Sequence, residues 1–133
     1  MARYVLDTHI VTALLRHNPQ VIQNISRAAT RGADLFLCPV VFYELLRGLL
    51  HKDARKQLQY FLEIAAALTW SDFSHEDWQK AAELWADLRK QGCSIDDADL
   101  LIRVYALQRQ ATIVTANEKY FKPLNVQFEN WLK

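Results

Sequence analysis

Short apolar runs of strand length alternate with longer stretches of helical periodicity along this chain, and that alternation constrains the fold most. Tyr4-Val5-Leu6, Leu35-Phe36-Leu37-Cys38, Leu68-Thr69-Trp70, Ala111-Thr112-Ile113-Val114-Thr115 and Val126-Gln127-Phe128 are the candidate strands. Between them, apolar residues recur at helical spacing, as in Val21, Ile22 and Ile25, or Trp78, Ala81, Ala82 and Trp85. Such alternation predicts an α/β fold: a short, mainly parallel central sheet of four to five strands surrounded by helices.

The punctuation fits that reading. Asn18-Pro19 opens a helix as N-cap and first helical residue, and Gly32 closes it. Pro39 begins another helix. Ser74-His75-Glu76-Asp77 reads as an N-cap with an acidic first turn, and Gly92 is the stop. Ser94 is the expected N-cap of the next helix, with Asp97 at its third position. At 133 residues, the expectation is one domain over 1–133 with a sizeable core. The 51% hydrophobic content with only three Gly and three Pro argues against disorder.

A net charge of +1 gives no overall basic balance, although Arg47 to Lys56 is mostly basic and Asp72 to Asp99 mostly acidic. Cys38 and Cys93 fit neither a disulfide framework nor a ligand motif, which suits a reducing compartment. No apolar run has signal-peptide or membrane-span length, so a cytoplasmic protein with no membrane partner is expected. Trp78 and Trp85 share a helical face and suit a core or a subunit contact better than base stacking.

The chemistry-bearing residues are carboxylates. Asp7 follows the first strand and could hold a metal or simply cap the next helix. Glu44 stands in an apolar helix with Gly48 one turn on, where a Gly costs roughly 1 kcal/mol relative to Ala. Its presence suggests either space wanted beside Glu44 or a closely packed backbone. Asp96, Asp97 and Asp99 crowd one turn, more than capping needs; Asp96 and Asp99 share a face. The strand at 111–115 ends in Thr115, Asn117 and Glu118. In a parallel sheet these strand ends share one edge, where converging carboxylates must raise their pKa values, pair with cations or hold a metal. Mg²⁺, with its oxygen ligands and retained waters, suits such a set. His9, His17, His51 and His75 lack zinc spacing and read as structural or exposed.

Four motifs then occur in order. Val5-Leu6-Asp7-Thr8-His9-Ile10, Val41 to Gly48 around Glu44-Leu45-Leu46-Arg47-Gly48, Asp96 to Ile102, and Ile113 to Phe121 resemble the sequence signature of PIN domains. A chain of this length most resembles the VapC-type toxins of toxin–antitoxin pairs. The resemblance implies an endoribonuclease dependent on Mg²⁺ or Mn²⁺, acting on RNA, usually a homodimer, and held inactive by a cognate antitoxin. It carries the first three acidic positions onto Asp7, Glu44 and Asp99, as catalytic residues and metal ligands. Asp96, Asn117, Glu118, Thr8 and Thr115 are auxiliary candidates. Arg47, Lys52 and Lys119 are candidates for the RNA backbone or a solvated face. The chain departs from the pattern at Asn117, where the family usually has Asp, which weighs against a second metal more than the first. Arg103 also departs, standing where a small residue is usual. The rival reading is a catalytically inert PIN-like module that binds RNA or protein.

Overall fold

Five strands form one all-parallel sheet in the computed structural model, which describes residues 2–116 and 126–132. They are β1 (Arg3–Leu6), β2 (Asp34–Leu37), β3 (Thr69–Trp70), β4 (Thr112–Val114) and β5 (Phe128–Glu129), in the order β3-β2-β1-β4-β5. β1 is central, with Val5 opposite Phe36 of β2 on one side and Ile113 of β4 on the other. Val5, Leu6, Ile113 and Val114 are fully buried, as expected of central parallel strands covered on both faces.

Six helices occur among the described residues. α1 (Thr8–Leu15) buries Ile10, Val11, Leu14 and Leu15. α2 (Pro19–Thr30) is capped by Asn18, whose side-chain oxygen accepts from the Gln20 and Val21 amides at 3.0 and 3.1 Å. α3 (Pro39–His51) buries Val41, Leu45 and Leu49. α4 (Arg55–Ala67) contributes the fully buried Phe61. α5 (His75–Lys90) and α6 (Asp97–Gln108) pack together around a smaller cluster of Ala81, Leu88, Leu100 and Val104. No helix among the described residues is long and apolar enough to cross a membrane.

The expected α/β architecture therefore stands, with local corrections. α6 begins later than expected: Asp96, not Ser94, is its N-cap, and Asp96 makes no side-chain capping bond. Leu68 ends α4 instead of opening β3. Of the two explanations for Gly48, close backbone packing is absent: a Cβ there would meet no described atom within 4 Å.

The acidic start of α5 proves more than a helix-dipole feature. Ser74 and Asp77 form a reciprocal capping box. The same Asp77 carboxylate accepts from Arg109 Nη2 at 3.0 Å, with both side chains largely withdrawn from solvent. Arg109 also donates to the Ser71 hydroxyl and the Asp72 carbonyl, and lies over the Tyr105 ring at 3.6 Å. One guanidinium thus joins the end of α6, the turn after β3 and the start of α5.

Candidate active site

The chain runs from β1 outward to β2 and β3, then returns to place β4 and β5 on β1's other side. The junction between β1 and β4 is therefore the topological switch point, where open parallel sheets form a crevice beyond their carboxyl ends. Asp7 sits there. Its amide donates to the Val114 carbonyl at 3.0 Å, extending the β1–β4 ladder by one step before α1 begins.

Asp7 is both a cap and a buried charge. Its Oδ1 accepts from the Ile10 amide at 2.9 Å, so the capping alternative is real. It is also only 4% exposed. Burial pushes its carboxyl above the ordinary value of 3.8, against the opposing pull of a Thr115 hydrogen bond, the Ile10 amide and the His9 charge. A cap alone needs no such environment; half-buried Asn18 performs that role at the start of α2.

Glu44 reaches the same region from α3. Thr8 Oγ1 donates to Glu44 Oε1 at 3.1 Å, so the residue after Asp7 fixes one oxygen of the second carboxylate. Both groups are half-buried, and the open space at Gly48 lies one turn along the same face. Asp99, in the first turn of α6, is also half-buried. Desolvation and then the neighbouring Asp96 charge raise its carboxyl, while Arg103 and His9 oppose them. His9 thus acts on both Asp7 and Asp99, with its Nδ1 4.0 Å from Asp7 Oδ2.

Of the expected residues, Thr115 stands against Asp7, Thr8 holds Glu44, and Asp96 is an exposed cap that acts on Asp99 by its charge. Asn117, Glu118 and Lys119 lie outside the described residues. His9 is exposed, as expected, beside Asp7. Arg103 was visible in the sequence only as a departure from the motif.

Among the described residues, no three acidic, histidine or cysteine side chains form a ready-made coordination cage. The donor types present are a separate matter. Zinc needs a closed or nearly closed protein shell. Mg²⁺ keeps several waters and takes only one or two carboxylates with substrate phosphates. Asp7, Glu44 and Asp99 offer oxygen donors only, of the second kind.

The PIN domain family model matches residues 4–125. Ribonuclease VapC2 of Rickettsia felis is 32% identical over 132 residues, covering 98% of each chain. The chain is a PIN domain of the VapC family. Ribonuclease VapC1 of Haemophilus influenzae is 26% identical to this PIN domain, again over 98% of each chain. Among solved structures, VapBC2 from Rickettsia felis bound to a promoter DNA fragment contains a chain matching the PIN domain with a TM-score of 0.87. That chain is 31% identical, and the match covers 97% of this chain and 98% of that one. A chain of the DNA-bound VapBC from Salmonella typhimurium, 19% identical, reaches the same TM-score over 98% and 99% of the two chains; it speaks to the fold alone.

Proposed function

We propose that this PIN domain is an endoribonuclease dependent on Mg²⁺ or Mn²⁺ and the toxin of a toxin–antitoxin pair. The observation that carries the reading is the buried Asp7 carboxylate at the β1–β4 switch point, with Thr8, the next residue, donating to Glu44. The VapC ribonucleases among its relatives support the substrate class, and the VapBC assemblies support a cognate antitoxin as partner. Exposed Trp78 and Trp85, at 52% and 40%, flank an apolar groove between α5 and α6 that supports a homodimer contact.

Asp7, Asp99 and Glu44 would hold the ion. When bound, such an ion supplies charge neutralisation at a phosphodiester and a more acidic water for hydrolysis. The protein's own part is preorganisation. The Ile10 amide and Thr115 fix the Asp7 carboxylate, and Thr8 turns Glu44. Arg47 and Lys52 are exposed cations suited to the RNA backbone.

The deciding experiment is RNA cleavage by purified protein with Mg²⁺ or Mn²⁺, with EDTA, and with Asp99→Asn. Activity should require the ion and fall roughly 100-fold or more in the variant. Undiminished cleavage by folded Asp99→Asn would reject the assignment. Absence of Mn²⁺ binding at millimolar concentration by calorimetry would favour the inert binding module instead. Thr8→Val should have a smaller effect, about 10- to 100-fold in metal affinity or activity, because it releases Glu44 without removing a ligand. Wild-type Mn²⁺ affinity in Thr8→Val would show that Glu44 needs no such support.

A further inference from the structure

We propose that Tyr43 and Trp70 form a stacking platform for unpaired bases of an RNA strand that runs along the carboxyl edge of the sheet to the Asp7 crevice. Both are large aromatic side chains left in the open, Tyr43 at 59% and Trp70 at 47%. Each is nevertheless held. Trp70 Nε1 donates to Asp72 Oδ1 at 2.7 Å, and its ring meets the Phe42 ring edge-on with centroids 5.3 Å apart. The Arg47 guanidinium lies over the Tyr43 ring, 4.9 Å from its centroid. Rings held in place before binding have less freedom to lose on it.

Placement ties both rings to the candidate site. Trp70 ends β3 opposite Leu37, the last residue of β2, so it stands on the same sheet edge as Asp7. Two strand spacings, about 10 Å, separate β3 from β1. α3 makes contact at both ends of that interval. Successive residues on a helix are about 100° apart, so Phe42, Tyr43 and Glu44 take three successive directions around it. Phe42 meets Trp70, Glu44 accepts from Thr8 beside Asp7, and Tyr43 comes between them.

The surroundings of Tyr43 favour a polyanion. Arg47 and, at the C-cap of α3, Lys52 are exposed cations. An open aromatic face with cations beside it accepts any unpaired base and its phosphate, whereas the bases of a duplex are already stacked. Leu50, also exposed on α3, would suit a second copy of the chain instead, and the test reads that outcome. The substrate class rests on the ribonuclease reading above, but stacking needs no cleavage, so the two can fail separately.

The experiment is fluorescence anisotropy in EDTA at low salt. Its probes are a labelled oligouridylate and the matching dihydrouridine strand, which keeps the backbone but has no aromatic base. The parent should bind the uridine strand about tenfold more tightly. Tyr43→Ala and Trp70→Ala should each reduce that ratio several-fold, and Tyr43→Phe, which keeps a ring, should preserve it. Equal affinity of the parent for the two strands, binding to neither, or a parent-like ratio in both alanine variants would overturn the platform. A ratio lowered by only one alanine variant would remove the other residue from it. A parent dimer that Tyr43→Ala dissociates, read by sedimentation, would assign this face to a second copy and overturn the platform too. The expected ratios in a protein that cleaves no RNA would uphold the platform and reject the ribonuclease reading alone.

Discussion

Asp7→Asn is expected to abolish RNA cleavage while leaving the PIN domain at least as stable as the parent. The substitution separates the two roles of this side chain. Asn is as good an N-cap as Asp, so the bond from the Ile10 amide survives. What disappears is a buried negative charge, and with it the principal candidate ligand. Because burial holds the Asp7 carboxyl above 3.8, the folded protein retains that proton longer than the unfolded chain does. The stability contributed by the protonated form is therefore full below 3.8. It is lost as pH rises through the window from 3.8 to the raised folded value. At neutral pH the penalty is complete, and removing the charge relieves it. Melting curves in EDTA should place Asp7→Asn above the parent at pH 7, with the gap closing as pH falls below that window. Cleavage should drop roughly 100-fold or more. Asp7→Ala, by contrast, should also lose about 1 kcal/mol of capping. A stable Asp7→Asn protein that cleaves RNA like the parent would remove Asp7 from the mechanism.

Arg109→Met should destabilise the fold by about 3–5 kcal/mol, more than any other single surface-to-core change considered above. Arg109 is 13% and Asp77 3% exposed at the side chain, and their 3.0 Å contact is charge-assisted. Removing the guanidinium leaves the Asp77 carboxylate buried with only its capping bond to the Ser74 amide. The Ser71 hydroxyl and Asp72 carbonyl lose their donor at the same time. At roughly 2–8 °C per kcal/mol for domains of this size range, the melting point should fall by on the order of 10 °C or more. Chemical denaturation measures the effect directly. A loss under about 1 kcal/mol would place this pair with ordinary surface ion pairs.

The fold was legible from local chemistry, because strand-length apolar runs and Pro, Asn and Gly punctuation act within a few residues. Asn18-Pro19 is a cap in sequence and a cap in space. The convergence of Asp7 with the end of the 111–115 strand was also legible, since parallel strands put like ends together. The start of α6 was misread because Ser94 is the better capping side chain, yet the backbone turns into helix only after Asp96. Long-range charge was not legible at all. Nothing near Asp77 in the sequence announces Arg109, and nothing at Arg103 says whether its head meets water or the interior. Those outcomes depend on packing between elements. Asn117, the departure most relevant to a second ion, lies outside the described residues.

The position of β1 has a consequence for the order of events during synthesis. β1, made before the other four strands, is the middle strand of the sheet, and its Tyr4 pairs with the distant Thr112. Until β4 emerges, β1 has a neighbour on one side only, and the Asp7 amide lacks the Val114 carbonyl it bonds in the finished fold. Closing so distant a pairing is slow compared with forming a local hairpin or helix. The nascent chain therefore carries its first acidic residue long before it has a cleft to put it in. A chain built this way completes the crevice at Asp7 only once β4 is in place, and a fragment ending before β4 would be prone to aggregate through the open edge of β1.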